Sequence, residues 1–293
     1  MRLIRVEHRN ESFWGLLDLE ATCLQRIRAP FAQWAPTLAT QGIEALSLDK
    51  VGIMLEQCRI LAPLEPGARV FGVGLNYLSH LQRLGSDAPE HPLGYIKPAS
   101  ALVGANDDIQ YPALTAQLDY EVELVAVVAR ALGDEPHASA CLLGYTCGND
   151  ISARDAGKRI ARLDLLTQKA MDRTTPVGPW IVTLDEFAGG QPQLDIELKV
   201  NDERRQFDNT RQMLFPVDEL LDFVDARITL QPGDLLFTGS THGVGLEDGR
   251  FLQPGDQVDA CIEGIGRLSN RVSEPRILPT ARSAGRLGWP VLP

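Results

Sequence analysis

Between residues 119 and 169 the chain carries more ionisable side chains than packing alone requires. Glu121 and Glu123 stand two apart in Asp119-Tyr120-Glu121-Val122-Glu123-Leu124, a run that turns apolar on its way to Ala129. Residues two apart on a strand leave the same face. Two carboxylates on one face of a strand entering a core need either water or a positive partner. Asp150 follows a second strand-like stretch, with Arg154 and Lys169 beyond it. Taken singly, each has an ordinary account: Glu121 and Glu123 as a solvated strand face, Asp150 as a helix N-cap, Arg154 as its ion-pair partner one turn on. Taken together, three carboxylates at strand ends, with no Cys or His among them, suit a hard cation. Mg2+ prefers about six oxygens at roughly 2.0–2.1 Å and keeps several waters, which leave positions for a chelating substrate.

The chain around them has 293 residues, 44% hydrophobic and 23% charged, the composition of a globular protein with a sizeable core. A net charge of −11 argues against a nucleic-acid or anionic-membrane binder, which would present a basic face. No stretch approaches the roughly 20 apolar residues of a membrane span. Charges break the first residues, Met1-Arg2-Leu3-Ile4-Arg5, so no signal peptide is expected and the location expected is cytoplasmic. Cys23, Cys58, Cys141, Cys147 and Cys261 are scattered, with no Cys-x-x-Cys, and suggest neither a disulfide framework nor a zinc site.

The elements that must position the charged residues are mainly strands. Residues 1–66 form a small N-terminal α/β unit, with a strand at Phe13–Asp18 and a helix expected over Ile43–Cys58; two prolines and a glycine at residues 63–67 mark a linker. Residues 67–293 form the main domain, with 275–293 as an extended tail. Val70 to Tyr77 is a buried strand entering a tight turn. Its Gly72-x-Gly74 lacks the third glycine and the following helix of a dinucleotide site. Leu78–Leu84 is a short helix carrying His80, and the polar loop after it has the character of a lid. Strands are expected at Glu121–Ala129, Leu143–Cys147, Pro179–Thr183, Leu194–Asn201 and Leu235–Gly239, with a hairpin over 256–272. Asp150 to Ile160 reads as a helix start, and Val217–Arg227 as an amphipathic helix.

Several pieces then occur in one order: Gly74-Leu75-Asn76-Tyr77 with His80, Lys97-Pro98, Asp119-Tyr120-Glu121-Val122-Glu123, Asn149-Asp150-Ile151-Ser152-Ala153-Arg154-Asp155, Lys169, Gly178-Pro179-Trp180, Pro232-Gly233-Asp234 with Thr238-Gly239, Gly243-Val244-Gly245 and Gly264-Ile265-Gly266. Over about residues 67–272 the chain resembles the fumarylacetoacetate hydrolase family. The resemblance implies a mixed, β-rich α+β fold around a rolled, barrel-like sheet, usually in a homodimer. It implies Glu121, Glu123 and Asp150 as metal ligands, with Mg2+ foremost and Mn2+ or Ca2+ as alternatives. Arg154 and Lys169 would bind and activate substrate oxygens, Thr238 and the Gly239 backbone would hold a substrate carboxylate, and His80 would be the general base. The reaction implied is C–C bond cleavage in a 2-oxo, acylpyruvate-type keto acid.

The chain also departs from the family's pattern. Members often place a Glu three residues after the His, forming a dyad that activates water; here that residue is Arg83. After Thr238-Gly239 stands Ser240-Thr241-His242 in place of the usual Thr-Pro. Arg83 could instead pair with an additional substrate carboxylate, and His242 could supply a base. These changes open a second reading, an isomerase, decarboxylase or dehydratase on the same metal platform. A third is a keto-acid-binding protein without catalysis.

Overall fold

The computed structural model describes residues 1–133, 135–156, 164–187 and 191–275. Three N-terminal strands, β1 (Arg2–His8), β2 (Glu11–Asp18) and β3 (Cys23–Arg26), form a meander. They are followed by helix α1 (Phe31–Gln41) and the short strands β4 (Ile53–Met54) and β5 (Arg59–Ile60). Next come β6 (Val70–Gly74), helix α2 (Leu78–Leu84), β7 (Leu93–Lys97), β8 (Leu102–Val103), β9 (Leu118–Asp119), β10 (Val122–Val128), β11 (Leu142–Asn149) and β12 (Ser152–Ala153). The last third holds α3 (Leu165–Lys169), β13 (Thr175–Thr183), β14 (Asp195–Val200), β15 (Glu203–Asn209), α4 (Val217–Asp225), β16 (Leu235–Ser240), α5 (Gly245–Asp248), β17 (Gln257–Ile262) and β18 (Gly266–Arg271).

Twelve strands make one mixed sheet in the order β4-β3-β2-β1-β13-β11-β10-β16-β6-β7, with β5 on β1 and β8 on β13. A four-stranded sheet, β15-β14-β17-β18, packs against it, and β9 pairs with β12. The expected mixed, β-rich α+β class is what the chain adopts. The sheets are open: the long path ends on β4 at one edge and β7 at the other, so the barrel-like closure is absent among the described residues.

β10 lies near the centre and explains its own composition. Leu124, Ala126 and Val128 pack into one apolar cluster with Ile196, Leu198 and Ala260 of the smaller sheet and Leu220 and Leu221 of α4. Val125 and Val127 pack into another, with Val177, Ile181, Leu235 and Phe237. A strand covered on both faces reads as an unbroken apolar run. The second cluster also takes in Leu3, Trp14, Phe31 and Trp34, and β1 pairs with β13 at Arg2↔Val182 and Leu3↔Ile181. Strands on both sides of the expected boundary at residue 66 therefore share one sheet and one apolar cluster.

Two local expectations are corrected. The N-terminal helix is not Ile43–Cys58 but the preceding α1, which accommodates Pro36 and buries Phe31, Trp34, Ala35 and Leu38. Gly42 ends α1, Gly52 interrupts the later segment, and Ile43 and Leu46 pack against the core from turns. The segment after Asp150 is not a helix start either. Ser152 and Ala153 pair with Asp119 and Leu118, and the Arg154 amide donates to the Gln117 carbonyl at 3.0 Å. Residues 157–163 of that segment, and the tail from 276 onward, lie outside the described residues.

β11 and β13 approach closely where they pair: a Cβ on Gly144 would lie 2.0 Å from the Val182 carbonyl oxygen. Gly144→Ala should therefore cost about 1–3 kcal/mol through backbone displacement. This would be read as a lower urea midpoint at unchanged m, and an unshifted midpoint contradicts the packing described.

Candidate metal and keto-acid site

The ends of these strands converge on a cluster of charge. Glu121 sits between β9 and β10, Glu123 on β10, and Asp150 immediately after β11. Pairing of Val122 with Asn149 and of Glu123 with Gly148 sets the two glutamates beside Asp150. The Asn149 side-chain oxygen accepts from the Glu121 amide at 2.9 Å, and the Asp150 amide donates to the Glu121 carbonyl at 2.8 Å. The three carboxylates are buried, with one ligand oxygen from each within 4.8 Å of the others. Opposite, the pairing of β10 with β16 slips between Glu123 and Val125. Gly239, at φ 96°, turns its amide onto the Glu123 carboxylate at 2.7 Å. Such irregularities commonly re-aim groups beside active sites. A side chain at Gly239 would meet Asn76 Cβ at 2.7 Å, so close approach as well as positive φ requires glycine there.

Cations hold this cluster together. Lys169, the last residue of α3, donates to Glu121 Oε2 at 2.6 Å, to Ser152 Oγ at 3.0 Å and to Asp150 Oδ2. Lys97 of β7 donates to Asp150 Oδ1 at 2.5 Å, and the Tyr95 hydroxyl donates to Asp150 Oδ2. Arg154 donates from Nε to Asp119 Oδ2 at 2.8 Å and from Nη2 to Glu121 Oε1 at 2.5 Å. Burial would raise the Asp150 and Glu121 carboxyls, but Lys169, helped by Lys97 at Asp150 and Arg154 at Glu121, holds both below their usual range. Glu123 differs. Burial and then Asp150 push it well above the usual carboxylate value, and among the described residues it has no salt bridge. Four buried carboxylates, counting Asp119, thus face three buried cations. A dication among Glu121, Glu123 and Asp150 would fit that deficit, and the all-oxygen donor set suits a hard ion.

The other expected site residues are placed as follows. His80 is buried on α2, and its Nδ1 lies 2.9 Å from Glu247 Oε1 on α5. Glu247 Oε2 accepts from the Gly243 amide at 2.9 Å. Burial would raise Glu247, but the bonds from His80 and Gly243 and the charge of His80 and His242 leave it lowered. His242 is thus half-buried on the Glu247 side, while Arg83 is exposed on the last turn of α2. Thr238 Oγ donates to the Leu124 carbonyl at 2.9 Å. Glu247, Asp119, Lys97 and Tyr95 carried no assigned role in the sequence reading. The glycines at 243 and 245, just before Glu247, are the only local signal for it.

The fumarylacetoacetate hydrolase C-terminal family model matches residues 69–273. An oxaloacetate tautomerase, mitochondrial, of Rattus norvegicus is 34% identical over 265 residues, 88% of this chain and 84% of its own. The 5-carboxymethyl-2-hydroxymuconate delta-isomerase of Mycobacterium smegmatis superposes with a TM-score of 0.77 at 31% identity, over 93% of this chain and 99% of its own. A fumarylpyruvate hydrolase from Pseudomonas aeruginosa, in complex with Mn2+ and pyruvate, gives 0.65 at 32% identity, over 73% and 91%. No helix among the described residues is long and apolar enough to cross a membrane.

The raised Glu123 carboxyl has a measurable consequence. In metal-free protein its ionisation costs stability once pH rises above the ordinary glutamate value of about 4.3, whereas Asp150 and Glu121 lose their stabilising contribution only as pH falls through their lowered values. A bound cation requires ionised Glu123. The rise in Tm on adding Mn2+ should therefore grow as pH rises above about 4.3, and calorimetry in two buffers should show proton release. A pH-independent gain contradicts this assignment.

Proposed function

The chain belongs to the fumarylacetoacetate hydrolase family, and from that premise we propose that it is a metal-dependent enzyme that hydrolyses a C–C bond in an acylpyruvate-type 2-oxo acid. The observation that carries hydrolysis is the His80–Glu247 pair. The carboxylate absent three residues after His80 is supplied from α5 instead.

A divalent cation held by Glu121, Glu123 and Asp150 would polarise a chelated carbonyl and offset negative charge at the 2-oxo acid. Magnesium, and a homodimer in solution, belong to the same reading. The lowered Glu247 carboxylate accepts a hydrogen bond from Nδ1–H of His80, the tautomer that leaves Nε2 with a free lone pair. Nε2 takes a proton from water, and the hydroxide adds to the carbonyl distal to the substrate carboxylate. The C–C bond then breaks, its electron pair passes to the pyruvate half, and the proton held by His80 returns to that carbon. Lys169, engaged with Glu121, Asp150 and Ser152, keeps the carboxylates ionised and ordered. Arg154 does the same for Glu121 and adds positive charge for an anionic substrate. Thr238, Gly239, Arg83 and His242 are assigned to substrate contact as the chain closes over its ligand.

A second reading, keto–enol interconversion, is favoured by the tautomerase relative that covers 88% of the chain. There His80 would move a proton between carbon and oxygen without adding water.

Acetylpyruvate and oxaloacetate separate the two. Release of pyruvate and acetate, lost with EDTA and restored by Mg2+ or Mn2+, is expected of hydrolysis. Exchange of C3 hydrogen for deuterium without cleavage selects the second reading. Glu247→Gln should lower kcat by about 10²-fold or more with little change in KM. EDTA-resistant turnover, or wild-type kcat in Glu247→Gln, overturns the proposal.

A further inference from the structure

Asp119 is the one fully buried carboxylate of the cluster that is not among the proposed metal ligands. Between them its two oxygens serve two parts of the site, and Oδ2 takes a donor from each. Oδ2 accepts Arg154 Nε at 2.8 Å and the Leu246 amide at 3.0 Å. Oδ1 accepts the Gly245 amide at 2.6 Å and the Tyr120 amide at 2.9 Å. Through Arg154 the carboxylate reaches Glu121, a metal ligand. Through the two amides that open α5 it reaches Glu247, and from there His80. The fit at α5 is tight: a Cβ on Gly245 would lie 2.8 Å from Asp119 Oδ1 and 2.7 Å from the Arg250 carbonyl oxygen.

We propose that Asp119 is a positioning residue that ties the orientation of the metal ligand Glu121 to that of the base pair His80–Glu247. The inference rests on the metal and base assignments above. A carboxylate is needed because all four partners are donors. An Asn in either amide orientation would turn its NH2 group towards two of them, so one arm must give way. Groups that orient metal ligands typically change affinity or activity by about 10–100-fold when replaced.

The test uses full-length protein and Mn2+ alone for the binding arm. Asp119→Asn should weaken Mn2+ binding in calorimetry by about 10-fold or more and lower kcat more than KM changes. In the double variant Asp119→Asn, Glu247→Gln, kcat should stay within about 3-fold of the more impaired single variant, because both changes disable one base. Multiplicative losses, or wild-type Mn2+ affinity in Asp119→Asn, overturn the inference. Should Asp119→Asn fail to fold, Gly245→Ala decides. Its Cβ presses on Asp119 Oδ1, an oxygen of the carboxylate that both arms share, so kcat and Mn2+ affinity should fall together. Loss of one alone, or of neither, contradicts the coupling. Failure of the underlying functional reading is distinguishable, since wild-type protein would then show no metal-dependent turnover of any keto acid.

Discussion

Seven charged side chains, Asp119, Glu121, Glu123, Asp150, Lys97, Arg154 and Lys169, are buried together, and the cost of removing them from water constrains everything around them. Each ion taken from water loses several kcal/mol of hydration, recovered only where partners and hydrogen bonds are close to ideal. No single element can supply such partners. The acids come from β9, the turn between β9 and β10, β10 itself and the residue after β11, and the cations come from β7, the residue after β12, and α3. Asp150 alone gathers Tyr95, Lys97 and Lys169. The sheet must therefore bring strands far apart in sequence to one place. An apolar β10, packed on both faces, gives the rigidity that this geometry demands.

The compensation is incomplete, and the remainder is chemically useful. With one carboxylate in excess, the cluster favours a dication. A cation of charge +2 would turn a net negative pocket into a net positive one. The same pocket would then attract an anionic keto acid to a protein whose overall charge is −11. Local charge governs here, since fields from distant surface groups are screened over about 8–10 Å.

Much of this was legible in the residues. Glu121, Glu123 and Asp150 could be read as oxygen ligands from type and spacing, and the structure gathers their carboxylates. Strands such as β10, β14 and β16 followed from their apolar runs. Ile43–Cys58 misled because apolar residues at helical spacing also suit turns that pack against a core, and because α1 contains Pro36, which weakens the helical signal. Asp150 misled as a cap because its side chain is claimed by three donors far away in sequence. Glu247 was the main omission. Its bond to His80 spans 167 residues, and nothing local marks a carboxylate in a short turn as the partner of a distant imidazole. The segment after His80 offers no carboxylate partner, and the fold brings one from α5.

The place of β16 in the sheet bears on how the protein is made. β16 lies between β10 and β6, paired antiparallel to one and parallel to the other. Until residues 235–240 leave the ribosome, the half-sheet bearing Tyr95 and Lys97 has no strand to join it to the half bearing Glu123 and Asp150. Synthesis proceeds at about 5–20 residues per second, so the nascent chain spends several seconds with opposed charges and two open strand edges waiting for one segment. An exposed edge of this kind is a template for wrong pairing. β10 and β6, both almost wholly apolar, carry little charge of their own to blunt such an edge.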